Sequence, residues 1–280
     1  MVTALAPSIE QRSYVPCVPP SEIADGRYLV RLAQTTEEIE AALKLRFAVF
    51  NLELGEGLDS SLETGEDCDE FDATCDHLIV TVKSTREVIG TYRLRTIEMA
   101  DSIHGFYSAG EFDLSSLPSE VLAQSVELGR ACIAQSHRNR QVLFMLWKAM
   151  AQYITTRQKR FLFGCCSLTS QEPREGRQVW NQLSKGGHLH DDFFVPPKQG
   201  YECVYPEPSG WPLSEVKIPQ LFRTYLGLGA KVCSPPAIDR LFKTIDFFVL
   251  LDIRQMDAKG RGLFFGPSSE LNPIFAGDLP

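Results

Sequence analysis

Val126-Glu127-Leu128-Gly129-Arg130 sets a carboxylate and a guanidinium three residues apart in an apolar run. The run continues through Ala131-Cys132-Ile133 into a short polar, basic stretch, Ser136-His137-Arg138-Asn139-Arg140-Gln141, and an amphipathic pattern follows at once. Strand, basic loop and helix in that order suit a donor held by its phosphate, because backbone N–H groups at a helix start face an anion. The same order brings a carboxylate near the donor's reactive carbonyl, where it can take a proton. A regular strand would point Glu127 and Arg130 to opposite faces. A β-bulge at Gly129 is therefore expected, turning both to one side.

Other charges lie where the local pattern is apolar. Arg46 stands beside Phe47 and Phe50, Asp69 and Asp72 bracket Phe71, and Arg93 interrupts a hydrophobic run. Taken singly, each fits an ordinary surface pair. Taken together they suggest a cleft wall, since buried charges need partners and the loop acids can supply them to the arginines. Basic residues also bracket the second long helix, at 137–140 and 156–160. They read either as a solvated face or as a landing site for a phosphate-bearing partner. Ser167, Ser170 and the cysteines lack a glycine-flanked elbow, so no covalent acyl-enzyme is expected. Cys68, Cys75 and His77 do not have a zinc spacing and there is no CxxC, so no metal site is expected.

The elements that must position these groups follow from periodicity. Strands are expected at 28–33, 77–82, 88–96, 124–133, 160–168, 231–233 and 245–251. The pair 77–82 and 88–96 forms a hairpin through Ser84-Thr85-Arg86. A capping box at Thr35-Thr36-Glu37-Glu38 opens one helix marked by Ile39, Leu43, Phe47, Phe50 and Leu54. Further helices are expected behind Val142, at 172–186 and at 218–228. Residues 55–75 and 97–121 lack a period, and 187–216 reads as a long insertion. The order is α/β with an antiparallel first half, and the later strands are free to pair in parallel. The expected organisation is a tail at 1–27, one domain at 28–253 and a second tail at 254–280.

The 280 residues carry a net charge of −8, which argues against a nucleic-acid partner. The strongest apolar run, Phe247 to Leu251, is flanked by Asp246 and Asp252 and is a buried strand rather than a membrane span. The first twenty residues have no signal-peptide pattern. A cytoplasmic protein with at most peripheral membrane contact is expected.

Several of these stretches together resemble the bacterial ornithine-lipid N-acyltransferases: 75–80, Ile89-Gly90-Thr91-Tyr92-Arg93-Leu94, 126–130, Leu146-Trp147, Phe163-Gly164-Cys165 and the late segments 220–222, 229–239 and 244–247. The likeness covers roughly 28–253. It implies the GNAT-like fold shared with acyl-homoserine-lactone synthases: a mixed, mostly antiparallel twisted sheet with flanking helices and a splayed central strand pair that admits pantetheine. The functional set of that group, carried over here, is Arg46, Phe50, Asp69, Asp72, Arg93, Glu127 and Arg130. Acetyl-CoA-using relatives carry an Arg-x-x-Gly-x-Gly loop. The loop here, Arg138-Asn139-Arg140-Gln141-Val142-Leu143, has neither glycine, so a close wrap around a pyrophosphate is harder. That favours the single phosphate of an acyl carrier protein arm over free CoA.

The resemblance implies aminolysis of an acyl carrier protein thioester by an amino acid, most plainly the α-amine of L-ornithine, to give lyso-ornithine lipid. The thioester is a co-substrate, and no cofactor is expected. Glu127, directly or through a water, is the expected base, with Arg130 beside it. Asp69 and Asp72 would attract the acceptor's cationic groups, Arg46 and Arg93 would hold those acids, and one arginine would take the acceptor carboxylate. Arg138, Arg140, Lys148 and Arg157 are the expected carrier-protein contacts. Other readings keep the same chemistry with glycine or tyrosine as acceptor, or make a signalling amide. A non-catalytic acyl-carrier-binding module is the reading of another class.

Overall fold

The computed structural model describes residues 22–100, 104–204 and 216–266. Among them one sheet contains β1 (Ile23–Asp25), β2 (Tyr28–Leu32), β3 (Asp76–Val82), β4 (Val88–Thr96), β5 (Ser125–Ile133), β6 (Phe161–Leu168), β7 (Lys231–Val232), β8 (Ala237–Asp239) and β9 (Thr244–Asp252). The order across it is β1-β2-β3-β4-β5-β6-β9-β7, with β8 also on β9. This is the mixed, mostly antiparallel sheet that was expected. Parallel pairing among the late strands is confined to β5 with β6. The long connection after β6 brings β9 back beside it in the opposite direction, so β6, β7 and β8 all meet β9 antiparallel.

Side-chain alternation divides the core in two. Leu78, Val80, Val126, Leu162 and Val249 face one side, under α2 (Arg140–Thr156), α3 (Pro173–Lys185), α4 (Gln220–Gly227) and α5 (Ala258–Phe265). Phe161, Phe163, Phe248 and Leu250 face the other, where the segment after β4 packs through Phe106, Phe112 and Val121. The first long helix, α1 (Thr36–Phe47), covers Ile79 and Val88 on that second face. Thr35 caps it by accepting from the Glu38 N–H at 3.3 Å, a contact worth about 1 kcal/mol.

The single helix expected through Leu54 changes character at Ala48. Residues Ala48–Glu53 form a π-helix, and the Leu54 N–H reaches the Val49 carbonyl at 3.0 Å. Such widened turns gather at functional sites.

Both ends of the domain extend past the expected limits. β1 pairs with β2 inside the stretch assigned to the N-terminal tail. In the stretch assigned to the C-terminal tail, α5 stacks Phe264 on Trp147 of α2, rings 5.1 Å apart. Apolar residues in both stretches find partners that short segments do not reveal by period. The insertion is sewn to the body at its start: Leu189 bridges Val232, Pro197 bridges Phe112 and Glu202 bridges Ala237. Positions 1–21, 205–215 and 267–280 of the tails and the insertion lie outside the described residues.

Two irregularities shape the centre of the sheet. Opposite Thr91 and Arg93 of β4 stand Cys132 and Gly129 of β5, so three steps on β5 meet two on β4. This is the expected bulge, but its left-handed residue is Arg130, at φ +51°, rather than Gly129. Beyond it, β5 and β6 pair only from Ser125–Phe161 to Glu127–Phe163 and then diverge. Gly164 stands at this fork. A Cβ there would lie 2.2 Å from the Leu128 carbonyl oxygen, so only glycine lets the strands approach and then part.

Candidate active site

The bulge delivers Arg130 into a buried ion network. Its Nε donates to Asp67 Oδ2 and its Nη2 to Asp69 Oδ2, both at 3.1 Å. Arg46, from the last turn of α1, donates Nε to Asp67 at 2.7 Å and forks onto Asp72 at 2.6 and 3.1 Å. Arg93 donates Nη1 to Asp69 at 2.5 Å and to Asp72 at 3.1 Å. Three arginines thus face three aspartates in a fully interlocked set, the arrangement that buried charges require. Burial works to raise the Asp72 carboxyl, but Arg46 and Arg93 outweigh it and hold it well below the usual range. Burial opposes the ionised form of Asp67 too, and Arg46 and Arg130 overcome it.

This network changes the parts assigned to its members. Asp72 is buried and spent on two guanidinium groups, and neither it nor Asp69 lines the central cavity. They position arginines rather than wait for an acceptor's cation. Arg46, wholly buried, likewise holds the loop. Arg93, Arg130 and Phe50 do face the cavity. The Nη2 of Arg93 is buried without a hydrogen-bond partner, a donor left over after the network is complete. Arg130 lies under two rings, 4.2 Å from Phe242 and 4.8 Å from Tyr107, which fix its plane.

Glu127 reaches the same face as Arg130. Its Oε1 accepts from the Ser108 N–H and Oγ, each at 2.7 Å, and its Oε2 accepts from the Tyr107 N–H at 2.8 Å. The carboxylate therefore anchors the 3-10 turn Tyr107–Gly110 against the fork, a role not foreseen for it. Oε2 accepts only one of these three hydrogen bonds, and Glu127 lines the cavity.

The cavity, about 330 Å³, passes through the sheet where β5 and β6 part. On one face its wall is polar: Glu56, Arg93, Tyr107, Glu127, Arg130 and Asp246. On the other it is apolar: Trp147, Met150, Leu162, Phe222, Val249 and Leu251. Gly164 and Leu128 stand where the chambers join. Phe50, Leu54, Tyr92, Ala131, Trp147 and Leu221 also line an adjoining groove of about 900 Å³ between α2, α4 and α5.

Arg138, Asn139 and Arg140 border that groove with Lys259 of α5. Asn139 caps α2 by accepting from the Val142 N–H at 3.0 Å. Arg138 is already engaged, forking onto Glu53 and donating to the Ile133 carbonyl at 2.9 Å. The other two expected carrier contacts are not at this mouth. Lys148 is on the outer face of α2, clear of the groove. Arg157 follows the last turn of the 17-residue α2, about 25 Å from its start, and pairs with Asp76 at 3.3 Å.

Sequence reasoning missed Asp67, Tyr107, Ser108, Lys259 and three acids near the polar chamber, Glu56, Glu111 and Asp246. Asp67 lies in plain view, two residues before Asp69 in an acid-rich loop. Asp246 reads from sequence only as the flank of an apolar strand. Burial pushes the Asp246 carboxyl up to about 6, with Asp239 adding to the effect. Burial and Asp246 together raise Glu111 well above the usual range, and burial raises Glu56.

The chain is similar to several known proteins. A family model for the acetyltransferase (GNAT) domain matches residues 45–148. The chain is 32% identical over 246 residues to an L-ornithine N(alpha)-acyltransferase of Brucella abortus, covering 84% of this chain and 87% of that one. It is 32% identical over 246 residues to the enzyme of the same name from Rhodobacter capsulatus, covering 85% and 94%. Among solved structures, the AHL synthase LasI aligns with a TM-score of 0.46 at 13% identity, over 85% of this chain and 95% of that one. The chain is an acyltransferase, and it belongs to the L-ornithine N(alpha)-acyltransferase family.

Proposed function

We propose that the protein moves a 3-hydroxyacyl group from an acyl carrier protein thioester to the α-amine of L-ornithine, giving lyso-ornithine lipid. The observation that carries this reading is the cavity through the sheet, apolar on one face, polar on the other, with the fork between them. An acyl chain fits the apolar chamber and an amino acid the polar one, so the thioester carbonyl and the amine meet at Gly164. The acceptor names of the relatives support ornithine.

In this reading the acceptor carboxylate meets the spare Nη2 of Arg93. Glu127 takes the proton of the ammonium on Oε2. The amine then forms a C–N bond at the thioester carbon, backbone N–H groups at the fork stabilise the oxyanion, and the C–S bond breaks as the nitrogen's second proton passes to the departing sulfur, releasing the carrier thiol. The thioester is the only co-substrate besides the amino acid. The carrier's phosphate meets the start of α2, with Arg140 and Lys259 beside the groove.

Purified protein mixed with a 3-hydroxyacyl carrier protein and L-ornithine should yield an N-acyl ornithine by mass spectrometry. Free CoA thioesters should serve poorly. Carrier binding without any amide product would instead favour a non-catalytic carrier-binding module.

A further inference from the structure

We infer that Asp246, with Glu111 set against it, forms the subsite for the acceptor's side-chain ammonium, and so sets the preference for a diamino acid. This rests on the proposed amino-acid acceptor and adds the residues that choose among amino acids.

The two carboxyls are 3% and 4% exposed. Asp246 Oδ1 and Glu111 Oε2 are buried away from other donors, and the two carboxyls lie against each other. Asp246 lines the polar chamber, on the same face of the sheet as Glu127, and Glu56 lines it as well. Among the described residues, no lysine or arginine lies within ion-pair distance of Asp246, Glu111 or Glu56, whereas the aspartates of the arginine network are all paired. Two buried carboxyls set against each other, with Arg130 acting only from beyond ion-pair distance, leave a place for a cation from outside.

The distances set an upper limit on the ligand's length. Glu127 Oε1 is 2.7 Å from Ser108 Oγ, that hydroxyl is 3.5 Å from Cys165 Sγ, and Cys165 Sγ is within 4.8 Å of an Asp246 oxygen. The two carboxylates are therefore no more than about 11 Å apart. Ornithine spans at most about 6 Å between its nitrogens, so a bent conformer with a hydrogen bond of about 3 Å at each end stays within that limit. Its α-amine then lies by Glu127 at the fork while its other nitrogen meets Asp246, which lines the chamber.

The test compares L-ornithine with L-norvaline, which has the same chain without the terminal amine, and with L-lysine and 2,4-diaminobutyrate. Binding to the full-length protein is measured by calorimetry without donor, and acylation separately. The wild type should bind ornithine more tightly than norvaline. Asp246→Asn should weaken ornithine binding by about 10- to 100-fold and shift norvaline far less, collapsing the preference. Glu111→Gln should act in the same direction. Equal losses for ornithine and norvaline would overturn the subsite, as would an ornithine preference that survives both substitutions. Glu111, Cys165 and Asp246 also have the groups of a metal site. An ornithine response that disappears with EDTA and returns with zinc would overturn direct ammonium binding. Ornithine binding that depends on Asp246 without any acyl transfer would leave the subsite standing and overturn the proposed reaction instead.

Discussion

Gly164 lies against the carbonyl of Leu128, at the point where β5 and β6 stop pairing. The peptide oxygen occupies the place of a side chain, so neither strand can shift without closing or widening the fork. Gly164→Ala should cost about 1–3 kcal/mol of stability and remove most acyl transfer. Thermal unfolding and turnover measured on the same preparation check both. A folded variant with wild-type turnover would displace the fork as the reaction centre.

Glu127→Gln is a double perturbation. The amide cannot accept from every donor that the carboxylate serves at Tyr107 and Ser108. A stability loss of about 1–3 kcal/mol is expected, along with a fall in turnover of at least about 100-fold. Ser108→Ala separates the effects: it removes one of the three donors, costs about 1 kcal/mol and leaves the carboxylate facing the cavity. A turnover loss as large in Ser108→Ala as in Glu127→Gln would assign Glu127 to anchoring alone.

Asp246 gives a pH dependence of definite sign. In the folded chain burial pushes its carboxyl up to about 6, above the value near 4 of an unfolded aspartate. Between these values the folded state binds the extra proton, so stability falls as pH rises across the window. Ornithine affinity should rise over the same window as the carboxylate becomes charged. Asp246→Asn should flatten both trends, read by denaturant unfolding and calorimetry at several pH values. An unchanged stability slope in that variant would remove Asp246 as its source.

The two ends of α2 should respond differently to charge reversal. Arg140→Glu and Lys259→Glu border the groove and should raise KM for the acyl carrier protein about tenfold, with a weaker salt dependence. Arg157→Glu breaks a pair with Asp76 and should lower Tm while leaving that KM near its original value. Steady-state kinetics at two ionic strengths separates the cases.

The strands and the main helices were legible because period and capping are local. The arginines were legible because charge in an apolar run is conspicuous. What each charge does was harder to read. Asp69 and Asp72 looked like cation receptors, but Arg46, Arg93 and Arg130 already pair with them, with Asp67 as the third acid. The bulge was foreseen at the residue with the easiest backbone. It occurs one position later, because Arg130 itself must turn toward Asp67 and Asp69, and those contacts outweigh the left-handed backbone cost of about 1–2 kcal/mol. Asp246 and Glu111 are 135 positions apart in sequence and meet only through the pairing of β9 with β6 and the turn after β4, which no local pattern encodes.

The slot between β5 and β6 is closed at one end by three paired residues and open at the other. A molecule with its head in the polar chamber and its tail in the apolar one is threaded through the sheet like yarn through a cleft stick. It cannot be lifted off either face; it must slide sideways toward the open end, past the start of α2. Its dwell time is then governed by the width of that exit as much as by the strength of its contacts, and a docked carrier protein standing at the exit would hold the product in until the carrier itself departs.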